Sequence, residues 1–221
     1  MDDWLRVNFL GRFLNLDFAL KKVLNSKKHP LTNSEVTSRI LNHWYQTNIV
    51  TDYRPAGKGW SKFSFTELVW INLVIKLRAF GLGLDKINVA KAYLAKYAEN
   101  DPFSAFPLLD FYILYARAFK EPINIWVFQE GALVIGRPSE LGALYKQEGF
   151  ARSFISLNLN DLLKELLKQV QADYLRQPMS EIIEQLAKAL ADPSITTEQV
   201  QWQDQSLKVN VQFLPKGPGS F

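Results

Sequence analysis

The most specific chemistry in the sequence lies in one short stretch, Thr37, Ser38, Arg39, Asn42 and His43, followed by Arg54, Lys58, Trp60 and Lys62. If the first group opens a helix, the planar guanidinium of Arg39 can donate two parallel hydrogen bonds to O6 and N7 of a guanine, a contact available only in the major groove. In the second group Arg54, Lys58 and Lys62 suit phosphate oxygens, and Trp60 can pack on the duplex or wedge toward a sugar. All nine are candidate DNA contacts, with His43 a possible donor to a phosphate. Three of them have a plainer reading beside this one. Arg39 is then a solvated charge, His43 a half-buried packing residue beside Trp44, and Trp60 an anchor holding a loop on the helices.

Other chemistries find little support. The chain has no cysteine and two histidines, His29 and His43, which leaves no thiolate, disulfide or histidine-built metal centre. Asp110, Glu130, Glu140 and Glu148 stand in no catalytic spacing and read as solvated carboxylates. Around Gly131 and Gly136 there is neither a dinucleotide nor a Walker spacing. Phe103, Phe106, Phe111, Tyr112, Tyr115 and Phe119 could line a pocket for a drug-like molecule, but their helical spacing favours core packing. The expectation is a binding protein without a cofactor and not an enzyme.

Charge points the same way. Residues 1–100 hold 15 Lys and Arg against 8 Asp and Glu, and residues 101–221 hold 11 against 14. A basic half followed by a mildly acidic half suits a nucleic-acid module joined to a partner or oligomerisation domain, because counterion release occurs only where cations are concentrated. No apolar run approaches the roughly 20 residues of a bilayer span. The start, MDDWLRVNFL, lacks the cationic opening of a secretory signal, so a cytoplasmic location is expected.

The elements that must position these residues follow from spacing. An unclassified arm precedes a short helix through Leu16, Leu20, Val23 and Leu24, which ends before His29 and Pro30. A second helix carries Val36, Ile40, Leu41 and Trp44 on one side, with two alternative caps, Thr32 paired with Glu35, or Thr37. Residues 51–62, with Pro55, Gly57 and Gly59, form a cationic turn or hairpin. Ser64 and Glu67 cap a helix through Leu68, Ile71, Val74 and Leu77 that stops at Gly81 and Gly83, and another runs from Leu84 to about Tyr97. Beyond lie a helix over 103–119 with Pro107 in its first turn, a hairpin around Glu130 and Gly131, and a short helix near Glu140 to Lys146. A strand over Ser153 to Leu159, a helix from Asn160 to about Gln171, a helix over Met179 to Leu190 and a hairpin from Gln199–Trp202 and Leu207–Phe213 complete the set. The fold class is α+β.

Residues Asp17 to Tyr97 resemble the MerR-type winged helix-turn-helix regulators. The likeness rests on Thr37-Ser38-Arg39-Ile40-Leu41-Asn42-His43-Trp44, on Ile49-Val50, on Gly59-Trp60-Ser61-Lys62-Phe63-Ser64 and Leu68, and on Leu77 to Ile87, in that order and spacing. It implies a DNA-binding domain over 15–97, with a recognition helix at about 37–48 and a wing at about 51–63, and a linking helix and α+β effector or oligomerisation domain over 103–221. It further implies a sequence-specific transcription regulator binding double-stranded DNA as a homodimer, with a small-molecule or protein effector at the second domain. Ser61 and Asn42 stand where the family often has arginine, which removes phosphate contacts. Without cysteines after the fourth helix, a thiolate metal sensor is excluded. The alternative is a winged-helix protein-interaction or architectural module of mobile-element or phage origin.

Overall fold

The computed structural model describes residues 24–55, 59–96, 98, 104–141, 153–170, 197–200 and 209–212. The expected first helix lies outside them except for its end at Leu24 and Asn25, as do the Met179–Leu190 helix, Lys58, Phe103 and most of the segment to Lys146. The described elements run α1 (Ser38–Gln46), α2 (Phe65–Ala79), α3 (Leu84–Leu94), α4 (Pro107–Phe119), β1 (Asn124–Phe128), β2 (Leu133–Gly136), β3 (Phe154–Asn158), α5 (Leu159–Gln169), β4 (Thr197–Val200) and β5 (Val209–Gln212). The class is α+β. Among the described residues no helix is long and apolar enough to cross a membrane.

Local chemistry fixes most helix starts. Thr37 caps α1, its hydroxyl accepting from the Ile40 amide. The competing cap at Thr32 and Glu35 is not used. There Asn33 turns the chain instead, its side-chain oxygen accepting from the Glu35 amide at 2.8 Å, an Asx-type turn that precedes the helix. Ser64 and Glu67 cap α2 reciprocally, each side chain accepting from the other's backbone amide. Pro107 occupies the first turn of α4, where a missing amide costs little, and Asn158 caps α5 through the Asp161 amide.

β1 is the central strand of an antiparallel sheet ordered β2-β1-β3, with Ile125 opposite both Ile135 and Leu157. The hairpin between β1 and β2 turns through Gly131, whose φ of +93° favours glycine. A Cβ at Gly131 would lie 2.4 Å from the carbonyl oxygen of Lys86 in α3, so this turn sits directly on that helix. β4 and β5 pair separately, antiparallel, from Thr197 opposite Gln212 to Val200 opposite Val209.

One apolar cluster runs from Leu24 through Trp44, Trp70, Leu77 and Ile87 to Phe111, Ile125, Ile135 and Leu166. α2 is buried nearly all round and meets both α3 and α5. Of the six aromatics weighed as a pocket, Phe106, Phe111, Tyr112 and Tyr115 are core residues, with Phe106 against Trp70 at 5.6 Å between ring centroids. Asp110 corrects the sequence reading of a solvated carboxylate. It is fully buried, accepting from the Thr66 hydroxyl and, at 2.8 Å, from the Asn25 side-chain amide. Its place in the first turn of an otherwise apolar helix makes this a tie between α4, α2 and the segment before α1. Glu140 is also engaged, closing on the backbone amide and guanidinium of Arg137.

Candidate nucleic-acid interface

At about 100° per residue, Leu41, Trp44 and Tyr45 centre the inward side of α1, and Arg39 and His43 fall nearly opposite. Trp44 is buried, and Leu41 and Tyr45 pack partly against the core. Ser38, Arg39, Asn42 and His43 are exposed. Ile40, expected to help seat the helix, is 37% exposed. It lies roughly 90° from the centre of the buried side and so only borders the packed face.

The far end of α1 is held from α3. Asn48 takes a positive φ of 57°, which turns the chain out of the helix. Asn88 donates to the Thr47 carbonyl at 2.9 Å and Lys91 to the Asn48 carbonyl at 2.6 Å, while Trp70 donates from its indole to the Ile49 carbonyl at 2.8 Å. Burial lowers the pKa of the Lys91 ammonium. The backbone amides of Thr47, Asn48 and Ile49 close the last carbonyls of the helix itself, and these side-chain donors hold the C-cap and the turn beyond it.

Described residues of the segment after α1 meet that helix, Arg54 at Asn42 and Tyr45, and Ser61 at Tyr45. Lys62 and Trp60 are exposed, the latter almost completely at 97%. Gly59 before it has a φ of +96° and open space around its Cα. Tyr45 and Ser61 share a hydroxyl-hydroxyl hydrogen bond of 2.5 Å, which joins this segment to α1. At its end Phe63 pairs with His29 through backbone bonds of 3.0 and 2.8 Å, a bridge between the chain before α1 and the start of α2. Lys27 reaches across the same region, its ammonium 3.3 Å above the Tyr53 ring and paired with Glu67.

Arg54 is placed differently from the other cations. Its Nε and Nη2 donate to the two carboxylate oxygens of Asp52 at 2.9 and 2.8 Å, Nη2 also donates to Asn42 at 3.3 Å, and the guanidinium lies 4.7 Å from the Tyr45 ring centroid. The hydrogen bonds from Arg54 hold the Asp52 carboxyl below the usual carboxylate range. Burial raises the Tyr45 hydroxyl, against the lowering influence of Ser61 and Arg54.

No protein family model, curated protein or solved structure matches this chain.

Thr37, Ser38, Arg39, Asn42 and His43 share one exposed helix, Trp60 and Lys62 are exposed beyond it, and Arg54 is drawn onto the same helix by Asn42. Lys58 lies outside the described residues. Asp52 and Tyr45 join the candidate site only through the structure. The signal was available, because an acid two residues before an arginine in an extended loop can close on it, but the same spacing occurs without pairing.

Proposed function

We propose that this protein binds double-stranded DNA through a MerR-type winged helix-turn-helix and regulates transcription in the cytoplasm. α1 is the recognition helix and the segment 51–63 the wing. The observation that carries the reading is the division of α1 into a seated side and a free one. Trp44 fixes the helix, and Arg39 stands opposite, exposed and, among the described residues, in no hydrogen bond or ion pair. A guanidinium left open on a rigid helix suits a base edge, and exposed Lys62 and Trp60 suit the flanking backbone. In this reading the chain acts by binding, not catalysis, as a homodimer, with the sheet and its helices taking an effector or contributing to the dimer contact.

The test is binding of the full chain to random-sequence duplex DNA across a salt series, followed by selection of bound sites from a random pool. Phosphate contacts give a log-log slope of about −0.9 per contact, and a two-fold dimer selects half-sites in inverted repeat. Failure to bind at low salt would remove the DNA reading and favour a protein-interaction module.

A further inference from the structure

Of the described candidate contacts Arg39, Arg54 and Lys62, Arg54 is the one that the structure holds in a frame. Asp52 takes Nε and one Nη2 hydrogen, Asn42 takes Nη2 from the recognition helix, and the Tyr45 ring backs the guanidinium. The Asp52 carboxylate also accepts from the Arg54 backbone amide at 3.0 Å, so the acid is itself oriented by the loop it serves. A carboxylate on this edge of a guanidinium occupies the place a phosphate would take, since both present two oxygens to the same fork. We propose that Asp52 is a positioning residue that withholds Arg54 from general phosphate contact and fixes it beside Asn42 as a directional contact, exchanging non-specific affinity for selectivity. This rests on the DNA-binding reading of the same surface.

The prediction separates Asp52 from an ordinary structural acid because removing it should strengthen one property and weaken another. With the full chain, Asp52→Asn frees Arg54 for phosphate. Binding to random duplex DNA tightens, the salt slope steepens by about 0.9, and the preference for sites selected by the wild type falls several-fold. In the wild-type background Arg54→Gln also lowers that preference. The double variant Asp52→Asn/Arg54→Gln returns the slope to the wild-type value, which assigns the added contact to Arg54. Matching far-UV spectra and melting midpoints certify folding. An unchanged slope or an unchanged preference in Asp52→Asn, or a steeper slope that persists in the double variant, overturns the proposal while wild-type binding to DNA keeps the functional reading. Absence of wild-type binding overturns both.

Discussion

At the scale of single residues, the separation of roles on the proposed interface makes the sharpest claim. Arg39 is exposed opposite Trp44, so truncation to alanine removes a contact and leaves the packed side of α1 untouched. Arg39→Ala is expected to cost about 1 to 3 kcal/mol on a selected site and to relax base preference. Lys62→Ala should weaken all duplexes alike and reduce the salt slope by about one contact. Competition between selected and random duplexes measures both, and an equal loss on the two kinds of DNA for Arg39→Ala would remove its reading role. Asp110 makes the residue-scale case for stability. Deleting its carboxylate takes an acceptor from the Thr66 hydroxyl and the Asn25 amide inside the core. Asp110→Ala should therefore destabilise by about 1 to 3 kcal/mol in a denaturant titration, whereas an effect within about 0.5 kcal/mol would mark the position as an ordinary surface site. The sequence could name Arg39 because exposure of a charge on an amphipathic helix follows from spacing. It could not assign Asp110 to the core, because Thr66 and Asn25 lie 44 and 85 residues away along the chain.

Among the elements, those defined by local chemistry were legible and those defined by pairing were not. The Ser64-Glu67 capping box, Pro107 at the start of α4, and the β-rich runs on either side of Gly131 all place structure where sequence spacing predicts it. The start of α1 was ambiguous between two caps, because Thr32-x-x-Glu35 satisfies the same rule as Thr37 and only the Asn33 turn decides between them. The His29-Phe63 bridge had no local signal, since it joins segments 34 positions apart. It has a consequence for pH. Burial, with a smaller contribution from Lys28, lowers the pKa of the His29 imidazole from 6.5. The unfolded chain then takes up a proton at a higher pH than the folded one, so the contribution of the neutral ring to stability is complete above about pH 6.5 and is lost as pH falls through the lowered value. Melting measured from about pH 7.5 down to about pH 5 should show this loss, and His29→Gln should flatten that part of the curve. An identical decline in His29→Gln would assign the effect to other groups.

For the molecule as a whole, the sequence reading sets a boundary after Tyr97 on charge and on the break at residues 99–102, and packing bears directly on what such a boundary means. Trp70 of α2 meets Phe106, Thr66 donates to Asp110, α2 contacts α5, and Gly131 rests on Lys86 and Val89 of α3. Two segments that shared only a linker would melt separately. Segments whose apolar side chains form one cluster from Leu24 to Leu166 should lose their packing together, because exposing either side uncovers the other. A single transition is therefore expected, with coincident midpoints by far-UV circular dichroism and by tryptophan fluorescence. Gly131→Ala probes the same coupling from the sheet side. Its methyl group would meet the Lys86 carbonyl and the Val89 side chain at a residue already held at positive φ. If α3 must shift to admit it, the donors Asn88 and Lys91 move with that helix and loosen their hold on the end of α1. The variant should thus lower the one melting midpoint and weaken DNA binding together, though it lies on a hairpin outside the proposed interface. Two resolved transitions, or a destabilised variant with unchanged binding at a temperature where it remains folded, would show that the sheet and α1 act independently.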